Sequence, residues 1–125
     1  MAEEKVANSN RTEQREQLSV TVTATDDIQV LNPAGEIDHH TGEALRHALD
    51  VARTTHPRVV VDLHGVTFMD SSGINVLIAA HHALTQAGGW LRLAAPTDTV
   101  MRTLQIVGVD SVIDCHDTLR QALAG

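Results

Sequence analysis

A chain of 125 residues, 42% of them hydrophobic and 20% charged, is sized for one compact domain. A formal net charge of -7 and an aromatic content of 2%, confined to Phe68 and Trp90, argue against a phosphate-tracking or base-stacking surface, so nucleic acid is not an expected partner. The only lysine is Lys5, so no lysine-ended phosphate loop, Schiff-base lysine or kinase-type ATP lysine stands inside the fold, and the lone Cys115 permits neither an intramolecular disulfide nor a Cys-rich zinc site.

Residues 1–17 carry four Glu, three basic side chains and several Asn, Gln and Ser without apolar periodicity, which predicts a flexible polar tail ahead of one domain over 18–125. There is no basic-then-apolar signal pattern, and no run approaches the roughly 20 apolar residues of a spanning helix, so a cytoplasmic protein without membrane contact is expected. Beyond the tail twelve acidic residues stand against six arginines; the acidity belongs to the domain.

Apolar and hydroxylated residues alternate over 18–24, predicting a strand with one buried and one wetter face. Asp26-Asp27 reads as a turn, 28–31 as a second strand antiparallel to the first, and Asn32-Pro33-Ala34-Gly35 as an interruption before Glu36-Ile37-Asp38. Thr41 can cap a helix whose apolar positions Ala44, Leu45, Ala48, Leu49 and Ala52 recur at helical spacing until Thr54-Thr55-His56-Pro57 ends it. Val59-Val60-Val61 and Leu63 do not alternate, the mark of a strand covered on both faces at the sheet centre. A link from His64 to Asp70 leads to a helix with Ile74, Leu77, Ile78, His81 and Leu84 on one face and Gly88-Gly89 at its end. Residues 90–94 form a strand, Thr97 caps a helix carrying Val100, Leu104 and Val107 to a Gly108 stop, Val112-Ile113 is a short strand, and Asp117 starts the last helix. The order β-β-α-β-α-β-α-β-α belongs to the α/β class: a mixed β-sheet with an antiparallel start and parallel βαβ repeats, packed with about four α-helices.

Chemistry concentrates at Asp70-Ser71-Ser72-Gly73, two hydroxyls after a carboxylate, past a buried strand and at a helix N-terminus, where open α/β sheets place their sites. Free backbone N–H groups and the helix dipole favour an anion there, including a phosphate attached to Ser. Asp and Ser are also ordinary caps, and placement alone leaves both readings open. Gly73 is expected to give a partner access. A nucleophilic hydrolase fits poorly, because the Ser is not set in Gly-x-Ser-x-Gly and no His has an evident base role.

Gly35-Glu36-Ile37-Asp38-His39-His40-Thr41 and Phe68-Met69-Asp70-Ser71-Ser72-Gly73 closely resemble the two signature segments of bacterial anti-sigma factor antagonists, which have the STAS fold. The similarity continues through Ala87-Gly88-Gly89 and Leu104-Gln105-Ile106-Val107-Gly108. The resemblance implies a phosphorylation switch and not an enzyme. The first Ser after the Asp, here Ser71, would be phosphorylated by an ATP-dependent anti-sigma factor serine kinase. The unphosphorylated form would sequester that kinase and release its sigma factor, and a metal-dependent serine phosphatase would restore it. The partner-binding surface carried over by position comprises Asp38, His39, His40, Asp70, Ser71, Ser72, Gly73 and Asn75, with no cofactor and no metal of its own. Ser72 is the competing acceptor, and a plain turn or cap role for Asp38 stays open.

His39 and His40, neighbours in a turn, are expected as exposed surface rather than a metal site, and His81 and His82 should point to different faces of their helix. Cys115 reads as a small semi-buried residue. Two other classes are weighed. A response-regulator-like phosphotransfer domain with Asp62 as acceptor lacks the lysine such chemistry requires. A STAS-fold module that binds a nucleotide, or is a scaffold in a stress-sensing complex, keeps the fold but changes the partner.

Overall fold

The computed structural model describes residues 18–55 and 57–124; the expected tail over 1–17 lies outside the described residues. The elements are β1 (Leu18–Thr25), β2 (Ile28–Ile37), α1 (Gly42–Thr55), β3 (Arg58–Asp62), β4 (Gly65–Met69), α2 (Ser71–Gln86), β5 (Trp90–Ala94), α3 (Asp98–Val107), a 3-10 turn (Val109–Ser111), β6 (Asp114–His116) and α4 (Leu119–Leu123). Six strands of the described residues share one mixed sheet in the order β1-β2-β3-β5-β6, with β4 also beside β2. The antiparallel pair β1/β2 opens the sheet and every other pairing is parallel, as expected of this α/β pattern.

β3 holds the centre. Val59 and Val61 enter the larger core, shared with Leu45 and Leu49 of α1, Leu77 and Leu84 of α2, and Leu104 of α3, while Val60 enters a smaller core with Ala122 of α4. A strand buried on both faces is what an unbroken valine run requires. At the edge, Leu18 and Val20 of β1 pack on the larger core but Val22 is exposed, so the predicted buried face is only partly covered.

Several expectations need correction. The turn formers Asn32–Gly35 do not interrupt β2; residues 29–31 pair with β3 and residues 34–37 with β4, and Pro33 falls between the two ladders, where a strand tolerates a residue without an N–H. The link after His64 is itself strand β4, reached from β3 by a short jog rather than a helical crossover. Val112-Ile113 is not a strand: both N–H groups bond back to the Val109 carbonyl, Ile113 plugs the core, and the strand follows at Asp114–His116. The last helix begins after Thr118, not Asp117, because Thr118 and Gln121 form a reciprocal capping box. In α3, Val100 and Leu104 face inward as predicted, whereas Val107 is exposed.

A bulge shapes the end of the sheet that carries the motifs. Gly35 pairs with Val66 but the next residue, Glu36, pairs with Phe68, leaving Thr67 as the extra residue. Gly35 sits at φ 121 on the facing strand, a conformation that a residue with a Cβ rarely adopts.

Candidate functional site

Parallel register brings the two sequence motifs together. Ile37 of β2 pairs with Met69 of β4, so Asp38 and Asp70 leave the sheet side by side, and the Asp70 N–H donates to the Ile37 carbonyl at 3.1 Å. The two helices that follow start against each other: a methyl group placed on Gly42 would touch Ser72 Cβ and Val76 Cγ2, each at 3.8 Å.

Asp70 is the N-cap of α2. Its backbone is extended, its Oδ1 accepts the Ser72 N–H at 2.8 Å, and its carbonyl accepts the Ile74 N–H at 3.2 Å. The capping role is therefore real, and it belongs to the carboxylate, which leaves the serine hydroxyls out of it. Ser71 is exposed, and its hydroxyl makes no hydrogen bond to another described residue. Ser72 is half-buried beside Gly42. Asn75, one turn beyond Ser71 on the same helix face, is exposed too.

The loop after β2 is locked by its own side chains. Asp38 Oδ1 accepts the N–H groups of His40 at 2.9 Å and Thr41 at 3.1 Å. Thr41 Oγ1 accepts the Asp38 N–H at 2.8 Å and donates to the Glu36 carbonyl at 2.8 Å. The Thr41 N–H, followed by that of His40, holds the Asp38 carboxyl below its ordinary range against the opposing effect of desolvation. Thr41 stands at the start of α1 as expected, since its carbonyl accepts the Ala44 N–H, but the sequence reading missed that its buried hydroxyl clamps the Asp38 loop. The separation of Thr41 from Asp38, three residues on in a turn, was the available signal.

His39 and His40 are both exposed, with ring centroids 4.0 Å apart, and no group of three His, Cys, Asp or Glu among the described residues is arranged to hold a metal. Gly73 does not open access to a partner. It is buried, and a Cβ there would stand 2.7 Å from both Ile37 Cγ2 and Met69 Cγ, so the missing side chain lets α2 close on the sheet.

Elsewhere, Asp62 is 5% exposed and its Oδ1 accepts the His64 N–H at 3.1 Å with His64 Nδ1 at 2.8 Å. That is a strand-end turn closed by its own carboxylate. His81 is half-buried and His82 exposed, with ring centroids 5.6 Å apart. Cys115 is half-buried, and burial, followed by Asp110 and Asp114, pushes its thiol up to about 11. No helix among the described residues is long and apolar enough to cross a membrane.

A mixed sheet in this order packed with helices is the fold of STAS domains, and here the ends of its adjacent strands carry Asp38 and Asp70-Ser71-Ser72. The family described as STAS domain matches residues 19–122, and the chain belongs to it. Within that family it is similar to the anti-sigma factor antagonists. It is 30% identical over 98 residues to the anti-sigma F factor antagonist of Paenibacillus polymyxa, covering 77% of this chain and 84% of that one. To the anti-sigma-B factor antagonist of Listeria monocytogenes it is 34% identical over 91 residues, 72% of this chain and 79% of the other. The crystal structure of an anti-sigma factor antagonist from Mycobacterium paratuberculosis superimposes with a TM-score of 0.79 at 28% identity, over 86% of this chain and 92% of that one. Proteins of this kind are regulatory binding proteins, not enzymes.

Proposed function

We propose that this protein is an anti-sigma factor antagonist that works by exchange of partners in the cytoplasm. In its unphosphorylated form it binds an anti-sigma factor serine kinase and frees the sigma factor. The kinase transfers the γ-phosphoryl group of ATP to Ser71 Oγ, the hydroxyl proton leaving to a base of the kinase and ADP departing. A metal-dependent serine phosphatase hydrolyses the ester and restores the binding form.

The observation that carries this reading is the exposed Ser71 hydroxyl, free of hydrogen bonds to other described residues, at the first position of α2 and beside the paired strand ends of Asp38 and Asp70. The helix N-terminus tolerates the added charge of about -1.5 to -2, so the fold is compatible with modification. A complementary protein surface does not tolerate it equally, because burying an uncompensated dianion costs several kcal/mol as an order of magnitude. The half-buried position of Ser72 against Gly42 favours Ser71 as the acceptor. Asp38, His39, His40, Asp70 and Asn75 form the surrounding contact surface.

Incubation with the anti-sigma factor kinase of the same organism and ATP tests this. One phosphoryl group should appear by mass spectrometry, mapped to Ser71 and lost in Ser71→Ala while kinase binding is kept. Labelling at Ser72, or none at all, would overturn the assignment.

A further inference from the structure

Val66 and Met69 both enter the larger core, although side chains three residues apart on a regular strand point to opposite faces. The bulge at Thr67 reconciles them, and the same jog turns Phe68 outward. Phe68 is the chain's only Phe and is 44% exposed. It lies three residues before Ser71, within about 10 Å along the chain. Its register partner on β2, Glu36, is exposed beside it, and Asp38 and Asp70 follow at the ends of the same two strands.

We propose that Phe68 is the apolar anchor of the surface that receives the anti-sigma factor kinase, and that the kinase meets it with an apolar socket rimmed by arginine or lysine. This rests on the function proposed above. An aromatic ring surrounded by contacts that exclude water is the usual energetic centre of a protein interface. The carboxylates of Glu36, Asp38 and Asp70 around it set the sign of the partner's rim. They also argue against a second copy of this chain as the occupant, since a two-fold contact would set the same acidic groups against one another.

The test is a titration of the purified kinase, without ATP so that Ser71 stays unmodified, against wild type, Phe68→Ala and Phe68→Leu, with thermal midpoints measured in parallel. Phe68→Ala is expected to bind about tenfold to a hundredfold more weakly at an unchanged midpoint, with Phe68→Leu between. Wild-type affinity in Phe68→Ala, or a loss matched by a fall in midpoint in both variants, would overturn the anchor. So would a wild-type dimer in sedimentation that Phe68→Ala abolishes. Failure of the wild type to bind the kinase would instead overturn the proposed function, so the two failures are distinguishable.

Discussion

Ser71 and Ser72 differ by one position and by their surroundings: the first faces solvent, and the second lies against the start of α1. Nothing in Asp-Ser-Ser-Gly itself separates them, because side-chain chemistry is identical and only the neighbouring helix distinguishes them. Gly73 was illegible for a related reason, since close approach of a Cα to Ile37 depends on a strand distant in sequence. Adding a methyl group there, in Gly73→Ala, should destabilise the domain by about 1–3 kcal/mol, read as a lower denaturant midpoint at unchanged slope. Asp38 makes a pH-dependent contribution. Its folded-state pKa lies below the ordinary 3.8, so the stability it supplies is fully present above that value and is lost as pH falls through the folded one. Asp38→Asn should remove this component, and the stability gap between wild type and variant should narrow as pH falls below about 4 in acid titrations of thermal unfolding.

Among the elements, those with strong periodicity were readable: the valine run of β3, the apolar face of α2 through Ile74, Leu77 and Leu84, and the Thr97-to-Gly108 frame of α3. β4 was not, because five residues with a bulge at Thr67 break the alternation that marks a strand, and no turn-forming cluster separates them from the motif that follows. β2 was truncated for the opposite reason, since local turn chemistry at Asn32–Gly35 was overridden by pairing with two different parallel strands. The pairing of β2 with β4 is what makes the site, so its two halves could be placed together from the sequence only through family resemblance. α3 is held at its start by Thr97, whose Oγ1 accepts the Val100 N–H at 3.2 Å. Thr97→Ala should lower stability by about 1 kcal/mol and Thr97→Ser should restore most of it, as measured by chemical denaturation.

At the scale of the molecule, the chain carries a formal net charge of -7 and its only lysine is Lys5, so under the proposed function a phosphate on Ser71 would arrive on an already acidic protein. Cations that neutralise a phosphoryl group must then come largely from the partner. Association with the kinase should slow several-fold as ionic strength rises from about 0.05 to about 0.5 M, with a smaller change in dissociation, measured by stopped flow. An association rate indifferent to salt would remove charge complementarity from the interface. Under the proposed function the same logic governs the switch, since a dianion at Ser71 would replace a neutral hydroxyl facing the kinase with a strongly hydrated group. The most direct measurement is the dissociation constant of the purified kinase for the unphosphorylated protein and for the protein phosphorylated at Ser71, both checked for an intact fold. Phosphorylation is predicted to weaken binding by about a hundredfold or more, equivalent to roughly 2.7 kcal/mol. Equal affinity of the two folded forms would contradict a phosphate-controlled exchange of partners.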